Sequence, residues 1–172
     1  RVIPEGSTSV PLSTEASVIE ASRRGGVAAP RVHYVLQNKD GAGQGYVMER
    51  LTGETIARKI LRDAAFDAVR PKLAYQCGEI LARIHKVDIA PIKHLLPIVD
   101  GPTQLRAYRD TLDLFDYPHP VFEMAFQWLE PRMAASKRQT LVHGDFRHGN
   151  LLISPNGVEA ALDWELTHIG DP

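Results

Sequence analysis

The chain has 172 residues, 44% of them hydrophobic and 24% charged, with a formal net charge of -1. That composition belongs to an ordinary globular protein with room for one full core, and it excludes a largely disordered chain. The near-zero charge argues against a broad nucleic-acid or anionic-membrane footprint, because both rest on summed positive charge, and leaves room only for a local basic pocket. The single cysteine, Cys77, allows no intramolecular disulfide, cysteine metal cluster or redox pair. No apolar run is long enough to span a bilayer and no leader-like segment opens the chain, so the cytoplasm is the default setting.

Residues 1–6 read as the end of a strand running into a polar loop that lasts to Ser13. Ser13 or Thr14 can cap a helix through Glu15, Val18 and Ile19 that stops at Gly25 and Gly26. Glu15 in the first turn suits the helix dipole. Residues 31–37 and 45–50 alternate as two strands, joined by the turn Asn38-Lys39-Asp40-Gly41, and are expected to pair antiparallel. The glycines at 41, 43 and 45 precede a strand rather than a helix and lack the Lys-Ser/Thr ending of a phosphate cradle, so they read as a hairpin loop.

From Thr55 the chain turns helical. Asp67 can cap a long helix with Pro71 in its early turns and an apolar stripe of Leu73, Cys77, Ile80, Leu81 and Ile84. On that stripe Cys77 is a small buried hydrophobe, and His85 at the helix end is a structural or dipole partner. Residues 88–101 form a connector, and two further helices are expected at 102–115 and 120–135, each started near a proline. Asp110, Asp113, Asp116 and Glu130 on these helices can bind a cationic substrate or simply face solvent.

The stretch 141–172 carries the chemistry. Residues 151–154 and 158–162 read as strands joined by the Pro155-Asn156-Gly157 turn. A hairpin brings its ends together, so Asp145 and Asn150 at its start are expected to meet Asp163 at its end. A carboxylate, an amide and a second carboxylate at one spot suit phosphoryl transfer, where one group orients the attacking hydroxyl and oxygen ligands hold Mg²⁺. The Asp-x-x-x-x-Asn spacing is that of the protein-kinase catalytic loop, with Asp163 in the place of the metal-binding Asp that follows it.

With His143-Gly144-Asp145 and Asp163-Trp164-Glu165, the segment resembles the aminoglycoside phosphotransferase and choline-kinase superfamily. The longer run HGDFRHGNLL through LDWELTHIGDP is most similar to the branch associated with acyl-CoA dehydrogenases. The resemblance implies an α+β, two-lobed, protein-kinase-like fold that continues beyond both ends, with residues 1–50 as part of the N-lobe and 51–172 as part of a helical C-lobe. It implies ATP and Mg²⁺ as cofactors and a small-molecule hydroxyl as acceptor, with aminoglycosides, choline, homoserine, sugars and a hydroxyacyl compound all open. It implies that Asp145 is the catalytic base, that His143 braces its loop, that Asn150 and Asp163 are the metal ligands and that Asp171 gives outer support. Glu15 would pair with a strand-borne cation, for which Arg1 is a candidate, and residues 46–53 would be the hinge, with Met48, Glu49 and Leu51 nearest the adenine. Met48 reads equally well as core filling. A fusion to, or joint action with, an acyl-CoA dehydrogenase-type domain is also implied, while the oligomeric state is not. On this reading an isolated 172-residue piece exposes apolar surface and is poorly soluble or oligomeric.

Two other functions stay open at this level. His143, Asp145, His148 and Asp163 can be read as a Zn²⁺ or Fe²⁺ hydrolase site, although the hard oxygen ligands favour Mg²⁺. A module that binds nucleotide or a partner without catalysis is suggested by the lack of a clear glycine-rich loop and gripping cation.

Overall fold

A computed structural model describes residues 10–115, 117–133 and 138–172. The expectations placed on Arg1, on residues 1–6, on Asp116 and on the end of the 120–135 helix lie outside the described residues. The first element is helix α1, Leu12–Arg24. Pro11 rather than Ser13 or Thr14 occupies its N-cap position, because the Pro11 carbonyl already accepts the Glu15 N–H at 2.9 Å and draws the start upstream. Its end is as expected: Gly25 bonds back to Ala21 and Gly26 takes φ +80°. Strands β1, Val32–Val35, and β2, Tyr46–Met48, pair antiparallel across a 3₁₀ turn at Asn38–Asp40 that ends on left-handed Gly41. Both are shorter than the alternation suggested.

Helix α2 covers Ala57–Arg62 and helix α3 covers Arg70–Ile84. Asp67 does not cap α3. A 3₁₀ turn at Ala64–Phe66 comes first, Val69 takes the N-cap position, and the Asp67 carboxylate pairs with the Arg70 guanidinium instead. The apolar stripe of α3 is real: Leu73, Ile80 and Ile84 are buried and half-buried Cys77 packs against the same core. Full burial of each aliphatic side chain contributes about 1.5–3 kcal/mol. Helix α4, Gly101–Asp113, begins at Asp100, whose carboxylate accepts the Thr103 N–H at 2.9 Å. Helix α5 spans Pro120–Leu129, and a 3₁₀ turn at Glu130–Arg132 containing Pro131 follows it. Arg109 of α4 ties these pieces together, 3.2 Å from Glu123 and 3.6 Å from Glu130 and over the Phe126 ring.

The rest is strand. β3, Thr140–Val142, pairs antiparallel with β6, His168–Gly170, and between them β4, Leu151–Ser154, pairs with β5, Gly157–Ala161. One hairpin is thus nested inside another pair, and the two loops between the pairs, residues 143–150 and 162–167, fall side by side. The connector before α4 joins this assembly: Val99 N–H donates to Ile169 O at 2.8 Å and Ile169 N–H donates to Pro97 O at 2.9 Å. The N-terminal half joins it through Glu54, which exchanges two backbone hydrogen bonds with Ile153 at 2.8 and 3.0 Å. Gly53 permits that approach, since an added Cβ would stand 2.7 Å from the Leu152 side chain. The core runs from Val18 and Ile19 of α1 through Ile60 and Ile84 to Leu141, Ile153, Trp164 and Ile169. On α4 and α5, by contrast, Tyr108, Val121, Met124 and Trp128 are exposed, as are Leu114 and Phe115 just beyond α4. Among the described residues, no helix is long and apolar enough to cross a membrane.

Candidate active site

The two nested pairs bring the expected residues together. Leu162 N–H donates to Asn150 O at 2.8 Å, extending the β4–β5 ladder by one rung, so Asp163 emerges one residue beyond the partner of Asn150. Asp163 itself takes φ +62°, a left-handed conformation that aspartate tolerates better than most residues. Asn150 is buried and its amide Nδ2 donates to both Asp145 Oδ2, at 2.8 Å, and Asp145 O, at 2.9 Å.

His143 is 1% exposed and both ring nitrogens are committed. Nε2 lies 3.1 Å from Leu162 O, and the Asp145 N–H donates to Nδ1 at 3.3 Å, which together select the tautomer with the proton on Nε2. The ring packs 4.6 Å from Trp164 and 5.8 Å, edge on, from Phe146. Burial pushes its pKa below the usual value, against the opposing pull of the Leu162 carbonyl and the Asp145 and Asp163 charges. Such a ring braces two loops against each other and has no nitrogen left for a metal. Among the described residues no three His, Cys, Asp or Glu groups converge as a metal site. Asn150 and Asp163 carry an amide and a carboxylate oxygen, the hard donor chemistry that Mg²⁺ takes.

A cavity of about 420 Å³ opens beside Asp163, lined by Leu12 and Glu15 of α1, Leu36, Ala42, Gln44 and Gly45 of the first hairpin, and Tyr46 and Met48 of β2. Of the residues expected around a nucleotide, Glu15 and Met48 line it, whereas Glu49 and Leu51 do not. Glu49 instead closes the first hairpin, its N–H donating to Arg31 O at 2.8 Å and its carboxylate accepting the Arg31 N–H at 3.3 Å. Met48 is 44% exposed, so it is not core filling. Glu15 is 2% exposed and accepts the Trp164 N–H at 3.2 Å. The loop residues Ala42, Gln44 and Gly45 were not expected at the site. Nor was Thr167, buried and 3.5 Å from His143 O. Nor was Arg147, whose Nε donates to Asp145 Oδ1 at 3.1 Å and Oδ2 at 3.0 Å. A larger hollow of about 700 Å³ at the α4–α5 junction, with Asp113, His119 and Glu123 in its lining, contains none of the catalytic or metal candidates. Asp110 is exposed, Glu130 is held by Arg109, and Asp171 follows β6 at the exposed end.

A helix and hairpin on one side of a cleft, facing an Asp-x-x-x-x-Asn loop and a second Asp on a following hairpin, define a kinase-like fold. The chain belongs to the phosphotransferase enzyme family (APH), whose family model matches residues 1–172. It is 29% identical over 172 residues to acyl-CoA dehydrogenase family member 10 of Mus musculus, covering 94% of this chain and 16% of that protein. Its fold matches a structure assigned to the aminoglycoside phosphotransferases from Ralstonia eutropha JMP134, with a TM-score of 0.74, 23% identity, and coverage of 94% of this chain and 51% of that one. It also matches the GDP complex of aminoglycoside 2'-phosphotransferase-IIIa, with a TM-score of 0.66, 16% identity, and coverage of 94% and 59%. The chain thus spans about half of the solved structures, and about a sixth of the curated relative.

Proposed function

We propose that the protein containing this chain transfers the γ-phosphoryl group of ATP, with Mg²⁺, to the hydroxyl of a small molecule. The observation that carries this is the contact of the Asn150 amide nitrogen with the Asp145 carboxylate, 2.8 Å, at the strand end that leads to Asp163; on this reading the amide oxygen serves the cation. Asp145 orients the acceptor hydroxyl and receives its proton as the acceptor oxygen takes the phosphoryl group and ADP departs. His143 fixes the Asp145 backbone, and Asn150 fixes its carboxylate. Asn150 and Asp163 would hold Mg²⁺, which when bound neutralises charge on the phosphates. The cavity lined by Met48, Glu15 and Asp163 suits the nucleotide, with Met48 toward the base. The GDP held by a fold neighbour supports a nucleotide there.

Residues 1–50 and 51–172 correspond on this reading to parts of the two lobes, which meet at the cleft. The likeness to an acyl-CoA dehydrogenase family member supports action alongside such a domain, and the single cysteine suits a cytoplasmic setting. The test is titration calorimetry of ATP, with and without Mg²⁺, on the full-length gene product. Tight Mg²⁺-dependent binding that is lost in Asp163→Ala is expected. Absence of binding would shift the reading to a non-catalytic module.

A further inference from the structure

The Asp145 carboxylate meets two side chains of different character. Asn150 donates to Oδ2 from the strand end that also carries Asp163. Arg147 lies across both oxygens through Nε, and its side chain is 63% exposed. Its Nη atoms make no hydrogen bond to the described residues. Gly149 makes room for this placement, because an added Cβ there would stand 2.5 Å from Arg147 Nη1. An exposed ion pair of this kind adds little to stability, and it opens at little cost.

The acceptor hydroxyl must hydrogen-bond the same carboxylate, so it enters beside a guanidinium. When it does, Arg147 gives up or shares its partner. An acceptor with an oxyanion near the hydroxyl supplies a replacement, and the planar fork of arginine matches carboxylate or phosphate in a bidentate fashion. A cationic acceptor supplies none and is repelled. Resting on the phosphotransfer reading above, we propose that Arg147 is a specificity residue. The acceptor carries a carboxylate or phosphate within side-chain reach of its hydroxyl, and Arg147 passes from Asp145 to that oxyanion as the acceptor binds.

The experiment follows ADP release from Mg·ATP by the full-length protein, titrated with glycerol 3-phosphate, glycerate, glycerol and choline. The concentration giving the half-maximal change is read, whether a probe is phosphorylated or only excludes water. At least one anionic probe is expected to act at a concentration tenfold or more below that of glycerol, with choline weakest. Which anion leads separates a phosphate from a carboxylate. Arg147→Ala should erase the anion's advantage and Arg147→Lys should keep part of it, while both variants still bind Mg·ATP. Anions that do no better than glycerol, by equal effect or by none, would overturn the proposal, as would an Arg147→Ala loss shared equally by charged and neutral probes. Failure of the wild-type protein to bind Mg·ATP would sink the phosphotransfer reading instead.

Discussion

The carboxylate of Glu15, on the first helix, accepts the backbone N–H of Trp164 at 3.2 Å across 149 residues of chain. Trp164 follows Asp163 directly, so a helix from one side of the cleft holds the turn that presents the metal-ligand candidate on the other. The neighbouring backbone reinforces the tie, with Val10 N–H donating to Glu165 O at 2.9 Å.

Removing that acceptor should therefore cost more than a first-turn charge would. Glu15→Ala leaves the Trp164 N–H buried without its partner, a loss of about 1–3 kcal/mol. Glu15→Gln keeps Oε1 as an acceptor and should lose less. Thermal melts rank the three proteins, and Mg·ATP calorimetry should rank their affinities in the same order. Equal Mg·ATP affinities would show that this contact does not position Asp163.

Asp145→Asn probes the base separately from the nucleotide. The amide retains the shape of the carboxylate but cannot accept the hydroxyl proton, so kcat should fall by roughly 10²–10⁴-fold. Mg·ATP affinity should change little, since the metal-ligand candidates are Asn150 and Asp163. A variant with wild-type turnover would remove Asp145 from the mechanism.

The hairpin of β4 and β5 was legible in the sequence because its signals are local: short apolar runs around Pro155-Asn156-Gly157, with Asp163 one step past the last rung. The stripe on α3 was legible for the same reason. β3 and β6 were not, because each has three residues and their pairing joins Thr140 to Gly170 without a turn signal between them. The lining of the cleft by Ala42, Gln44 and Gly45 was hidden too, since a glycine-rich loop has no pattern that tells which surface it lies over. Arg147 carried one usable signal, its place two residues after the base. The position of α1 depended on Pro11, whose carbonyl made the first helical bond before any hydroxyl cap was needed.

Gly144 separates His143 from Asp145 and takes φ +85°, and an added Cβ would overlap the Leu166 carbonyl. Gly144→Ala therefore combines an unfavourable backbone with a clash against the loop that follows Asp163, for a cost above about 2 kcal/mol. Activity should fall although no reacting group has changed. Chemical denaturation and turnover of the full-length protein check this, and a variant of normal stability and activity would mean the two loops are not packed as described.

His143 makes the stability of the site depend on pH. Its ring is held below the ordinary value of 6.5 by burial, so it stays neutral in the folded chain while the unfolded chain takes up a proton near that pH. Between the folded and unfolded values the unfolded state binds more protons, and stability therefore rises with pH across that window. The contribution is complete above the unfolded value and declines as pH falls below it toward the lower folded value. Melting curves of the wild-type protein from about pH 7.5 to about pH 5.5 should show a steeper acid loss than those of His143→Gln, by at most one proton or about 1.4 kcal/mol per pH unit. His143→Gln should also start from a lower stability, having exchanged a two-sided brace between Leu162 and Asp145 for a flexible amide. Parallel curves for the two proteins would assign the acid sensitivity to another group.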